Sequence, residues 1–181
     1  MTSFTRAFTT GTLLGLLAAV ASVRPCAAQL EEGGPPLGTP APTAVTTDLD
    51  GRPVDLAAYI GKKPVLIEFW ATWCVPCQEL MPKVDTAFAQ FSDRVTFLGV
   101  NVAINETVPG VRAWVLRHQP GFHVLFDSAA TAIRAYDIQA TSTVIIIGAD
   151  GMVAYAGVGA AQDLSTALNR LFAPDPASGS H

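Results

Sequence analysis

The stretch Val65-Leu66-Ile67-Glu68-Phe69-Trp70-Ala71-Thr72-Trp73-Cys74-Val75-Pro76-Cys77 decides how this chain folds. Pro64 precedes an apolar run over residues 65–70 that a single acid interrupts. Its length and composition predict a strand buried on both faces. Two cysteines separated by two residues follow at once, and a helical pattern then runs to about Phe91. The thiolate is the nucleophile of disulfide exchange. Unpaired N–H groups and the helix dipole favour an anion at a helix start, so the position suits Cys74 as the attacking sulfur. Cys77, one turn on, is expected to be more shielded and close enough to form a disulfide with Cys74. Pro76 has no N–H to donate, which suits the first helical turn. Pro82 is expected to bend the helix further along.

Cysteine usage narrows the chemistry. The chain has three cysteines, and Cys26 falls in a leader-like segment. A disulfide that closes so short a loop constrains the unfolded chain little, so stability is a poor reason for the Cys74–Cys77 pair. Half a zinc site is the other option. That option needs a second Cys or His pair, and His118, His123 and His181 are scattered. Redox chemistry is the better reading, with Cys74 attacking and Cys77 resolving.

Outward from this centre the pattern alternates. Residues 44–47 and 52–54 flank the turn Asp48-Leu49-Asp50-Gly51 and predict an N-terminal β-hairpin. Residues 95–102 predict a strand, 108–118 a helix and 124–126 a short strand. Residues 128–136 predict a helix with Ser128 as N-cap. Thr143-Val144-Ile145-Ile146-Ile147, then Gly148-Ala149-Asp150-Gly151 and residues 152–155, predict a second hairpin. Residues 163–172 predict a closing helix. The order implies an α/β fold, with a central mixed sheet flanked by helices.

The ends read differently from the middle. Arg6 is the only charge among the first 23 residues, residues 11–23 are small and apolar, and Pro25-Cys26-Ala27-Ala28 ends in small side chains. This predicts a secretory signal over residues 1–28. Thirteen residues span about 20 Å as a helix, short of the roughly 30 Å hydrocarbon core, so an uncleaved membrane anchor is the lesser alternative. Residues 29–42 hold the Gly- and Pro-rich run EEGGPPLGTPAP and predict a flexible lead-in. The folded domain is expected over residues 43–173, with a loose polar tail over 174–181. Beyond the leader the chain carries nine basic against fifteen acidic residues, which argues against nucleic acid as a partner. No nicotinamide fingerprint or other cofactor motif is visible, so electrons are expected from a membrane partner.

Phe69-Trp70-Ala71-Thr72-Trp73-Cys74-Val75-Pro76-Cys77, with Pro82 five residues on, resembles the thioredoxin superfamily. The N-terminal hairpin, the segment over residues 101–127 and the Gly148–Gly151 hairpin resemble its TlpA/ResA branch. That branch consists of extracytoplasmic thiol–disulfide oxidoreductases, often reductants in cytochrome c maturation. The resemblance implies a thioredoxin-like fold and protein or peptide disulfides and thiols as substrates. Glu68 takes the place of a buried acid in the thioredoxin pattern. Burial raises the pKa of such a group, which would let it accept a proton from Cys77. Trp73 is expected to offer a flat platform beside the reactive sulfur.

Two positions depart from that pattern. The branch often carries a Glu three residues after the second cysteine; here Leu80 stands there and Glu79 points about 100° away. The superfamily also places a cis-proline opposite the cysteines, in a loop whose backbone pairs with substrate. Here Ser142 occupies that position after Thr141. A cis bond before a non-proline residue costs about 2.5–4 kcal/mol, so a trans Thr141–Ser142 bond is expected. A serine would also open the site and add a hydroxyl. That motivates an alternative function, a copper or zinc carrier with Cys74 and Cys77 as ligands. A peroxiredoxin is excluded, because Ile67 and Ala71 stand where that family needs Pro and Thr.

Overall fold

A computed structural model describes residues 33–173. The expected signal over 1–28, with Cys26, and the tail over 174–181 lie outside the described residues.

The buried run forms the strand β3, Val65–Trp70, and all six of its residues are buried. β3 has neighbours on both sides. It pairs in parallel with β4, Thr96–Asn101, and antiparallel with β6, Thr143–Ile147. Every residue of β6 is buried as well, which accounts for its β-branched composition. β4 pairs in parallel with β5, His123–Phe126, and β6 turns through Gly151 into β7, Val153–Val158. The predicted N-terminal hairpin is β1, Val45–Asp48, with β2, Pro53–Asp55. It joins the sheet through β1 and β5, giving the seven-stranded order β2-β1-β5-β4-β3-β6-β7.

Among the described residues, four α-helices accompany this sheet. In α1, Val75–Phe91, the buried residues are Cys77, Leu80, Val84, Ala87 and Phe91, an alternating three- and four-residue spacing that faces one side to the core. Pro82 sits inside α1 without ending it. α2 covers Val108–His118, as its pattern predicts, and Thr107 caps it by accepting from the Gly110 N–H at 3.2 Å. α4, Leu164–Phe172, starts after the N-cap Asp163 and packs on α1, with Phe172 stacked on Phe91 at 6.1 Å.

Two expectations fail. α3 covers only Thr131–Ala135, and Ser128 does not cap it. The buried Asp127 does, accepting from the Thr131 N–H at 2.8 Å and the Ile133 N–H at 2.9 Å. A carboxylate satisfies two orphan donors at once, which one serine oxygen does less well. The flexible lead-in is the second. Where it is described it lies against the domain. The Gly38 N–H donates to Val153 O, the Val153 N–H to Thr39 O and the Ala41 N–H to Gly151 O, at 2.8–2.9 Å. Pro40 forms a bridge with Met152, so this segment covers part of a sheet edge that would otherwise be open.

Candidate active site

β3 and β4 are parallel neighbours, so the loops that follow them emerge at one end of the sheet. The loop after β3 carries the cysteines. Cys74 has extended backbone (φ −78°, ψ 106°) and is the N-cap of α1, its sulfur facing the Cys77 N–H at 3.1 Å. The two form a disulfide with Cα atoms 5.2 Å apart. Pro76 lies in the first turn, as expected. The expected difference in shielding is absent: Cys74 is 2% exposed and Cys77 5%. Bonded together at the helix start, each sulfur covers the other.

The inner side of the pair meets Glu68. This residue sits in the middle of β3, opposite Gly99 of β4 and Val144 of β6, and is 3% exposed. Glu68, Cys77, Met81, Trp70, Trp114 and Phe122 line one small cavity of about 10 Å³, room for a single water molecule. Burial pushes the Glu68 carboxyl up from an ordinary 4.5 to about 8, and the charge of Asp85 adds to the rise. Asp85 itself is raised by partial burial. Trp70 packs against Trp114 with tilted rings 4.3 Å apart, and its buried indole N–H has no partner among the described residues. Gly99 is bare because the Phe122 ring and the Trp70 indole occupy the space a Cβ would need.

The outer side is apolar. Trp73 is 48% exposed and stands beside Val75 and Ile104, both exposed. Its indole N–H donates to Ile104 O at 2.8 Å, so the ring is held by the loop after β4.

Sequence reasoning missed that loop. Glu106 accepts from both the N–H and the hydroxyl of Thr72, and from Asn101 Nδ2 at 3.4 Å. The signal that could have found it is topological. Once β3 and β4 are placed as adjacent parallel strands, polar residues just beyond β4 must face the cysteine loop.

Ser142 lies beside the end of β3, where its N–H donates to Phe69 O at 2.8 Å. All described peptide bonds are trans, the Thr141–Ser142 bond included. Ser142 does not open the site. It is wholly buried in a left-handed conformation (φ 64°), and its hydroxyl has no partner. Its carbonyl accepts from the Gly159 N–H and from Gln162 Nε2, both at 3.0 Å. Gln162 in turn accepts from the Tyr155 hydroxyl at 3.1 Å. The backbone of Ser142 is therefore used internally, while Thr141 next to it is half-buried. The accessible hydroxyl that motivated the metal-carrier alternative is absent. His118 stacks on Trp114, and among the described residues no cluster of three or more His, Cys, Asp or Glu could hold a metal ion. Nor is any described helix long and apolar enough to cross a membrane.

Known proteins are similar to this chain in sequence and fold. The thiol-disulfide oxidoreductase ResA of Bacillus thuringiensis is 30% identical over 117 residues, 65% of this chain and 66% of ResA. ResA of Bacillus subtilis is 31% identical over 117 residues, 64% of each chain. The chain thus spans just under two thirds of the length of these relatives. The crystal structure of a thiol:disulfide interchange protein of the thioredoxin family from Chlorobium tepidum superposes with a TM-score of 0.64 at 27% identity, covering 77% of this chain and 99% of that one. The Redoxin family matches over residues 36–171, from the lead-in on the sheet edge to the end of α4. With the family matched over three quarters of the chain, the chain belongs to the Redoxin family of the thioredoxin superfamily.

Proposed function

We propose that this protein is a thiol–disulfide oxidoreductase that reduces or exchanges disulfides of exported proteins. The observation that carries the reading is the Cys74–Cys77 disulfide at the N-terminus of α1, with Cys77 facing the buried Glu68 across a water-sized space.

The reaction starts from the dithiol. The Cys74 thiolate attacks one sulfur of a substrate disulfide, and the other substrate sulfur leaves as a thiolate. Cys77 then gives its proton to the Glu68 carboxylate, directly or through one water. The Cys77 thiolate attacks the Cys74 sulfur, and the second substrate sulfur departs. Two electrons have moved to substrate, and Cys74–Cys77 is a disulfide again. A carboxyl with a pKa of about 8 suits Glu68 to this step, because it can both take up and release a proton near neutrality. Trp73, Val75 and Ile104 offer apolar contact around the sulfur. Thr141 is the residue of its loop left to pair with an extended substrate, since Ser142 has committed its own backbone.

The setting is part of the same proposal. The leader-like residues 1–28 support export, and the resemblance to the ResA branch suggests cytochrome c maturation with a membrane protein resupplying electrons. Turbidity from insulin reduction with dithiothreitol as electron source tests the activity; a rate no higher than that of Cys74→Ser rules it out. The reduction potential fixes direction: near thioredoxin's value of about −270 mV the protein is a reductant, near about −120 mV an oxidant.

A further inference from the structure

We propose that Glu106 is a positioning residue for the reactive loop, holding Thr72 and Trp73 so that Cys74 enters α1 in its attacking geometry. This rests on Cys74 being the nucleophile, and it adds a residue that touches neither sulfur.

Three contacts tie residues 102–106 to the cysteine loop. The Val102 N–H donates to Trp70 O at 3.0 Å. Glu106 takes both donors of Thr72, one carboxylate oxygen for each. The Trp73 indole donates to Ile104 O. Glu106 meets two donors of a single residue, so the grip on Thr72 is the firmest of the three. Thr72 is also held from the helix side, where Gln78 Nε2 donates to its carbonyl at 3.1 Å. Two residues later the chain reaches Cys74. The direction in which it leaves Thr72 therefore sets where the Cys74 sulfur points.

The gripping loop is itself bent into an uncommon shape. Ala103 (φ 59°) and Asn105 (φ 53°) are both left-handed, a conformation an alanine adopts at a cost. Such backbone persists only where its surroundings over-determine it, and it concentrates at functional sites. Here Asn101 does part of that, accepting from the Ala103 N–H at 2.9 Å while its amide reaches Glu106. Asn101 is fully buried, at the end of β4 opposite Trp70. A rigid residue in the sheet thus anchors Glu106, and Glu106 anchors the loop that carries the nucleophile. Its contacts go to the reactive loop and to its own anchor. A purely stabilising acid gives no reason for that choice of partners.

The test uses the full reduced protein with oxidised glutathione, a substrate too small to need the apolar surface. Misplacing a reacting group by about 1 Å can cost as much as a hundredfold, so Glu106→Ala should slow mixed-disulfide formation at Cys74 about tenfold or more. Glu106→Gln keeps an acceptor for the Thr72 N–H and should stay within about threefold of wild type. Thr72→Val, which loses only the hydroxyl donor, should fall between. A folded Glu106→Ala protein that reacts at the wild-type rate overturns the proposal. So does a Glu106→Gln protein as slow as the alanine variant, which would assign the effect to charge. Should Glu106→Ala not fold, the ordering of the other two decides in the same way. Insulin turnover by the wild type is run alongside. Its absence would sink the proposed function, while the glutathione ordering would still judge Glu106.

Discussion

Replacing Glu68 by Gln should remove a large part of the stability that the oxidised wild type loses as pH rises. The oxidised form isolates the carboxyl, since disulfide-bonded sulfurs do not titrate. In the unfolded chain the group ionises at an ordinary 4.5; in the fold it ionises at about 8. Between those values the native state holds a proton that the unfolded state has lost, so stability falls as pH rises. At about 1.36 kcal/mol per pH unit the loss relative to low pH is about 3 kcal/mol at pH 7 and about 5 kcal/mol at pH 9, beyond which it grows no further. Against a total of about 5–15 kcal/mol this is readily measured. The pair is unfolded in urea at pH 4, 5, 6, 7, 8 and 9. A buried amide carries its own cost, so the two curves are offset by a constant, and the divergence with pH carries the information. Asp85, also raised, contributes the same slope to both proteins. Wild type should lose about 3 kcal/mol relative to Glu68→Gln between pH 4 and 7. Parallel curves would show that Glu68 is ionised and solvated, and the proton-acceptor role would go with it.

Ser142→Gly should gain about 1 kcal/mol in urea unfolding. It relieves a left-handed side chain and removes a buried unpartnered hydroxyl, against the larger entropy glycine loses on folding. Ser142→Pro should lose about 3 kcal/mol or more, because it removes the N–H bonded to Phe69 O and demands the opposite sign of φ. Gly99→Ala should lose about 1–3 kcal/mol by forcing a methyl into Phe122 and Trp70, read as a lower thermal midpoint. Trp73→Ala should raise KM for insulin with stability within about 1 kcal/mol, since the ring is half exposed and held by a single hydrogen bond.

The central fold is legible because its signals are local. β3 and β6 are apolar runs, and α1 repeats its buried positions every three or four residues. Cys74, Cys77 and Glu68 announce themselves by spacing and by one acid in an apolar strand. What escaped depends on partners distant in sequence. The lead-in looked free because its hydrogen bonds go to Gly151 and Val153, more than a hundred residues away. Asp127 displaced Ser128 as cap because its carboxylate reaches two N–H groups across a left-handed Ala130. Ser142 looked like an opening because loss of a proline suggests space. In the fold, β3 and Gln162 draw that backbone inward and close it. Glu106 carried no local mark, since an acid in a polar loop is ordinary until β3 and β4 are set side by side.

The central claim is that Cys74 attacks and Cys77 resolves. The direct measurement is trapping: reduced Cys77→Ser and Cys74→Ser proteins are incubated with insulin, and adducts are mapped by mass spectrometry after non-reducing digestion. Cys77→Ser should accumulate a stable mixed disulfide at Cys74, because nothing remains to release it, while Cys74→Ser accumulates little. An adduct forming preferentially at Cys77 in the Cys74→Ser protein, or none on either variant, would contradict the assignment.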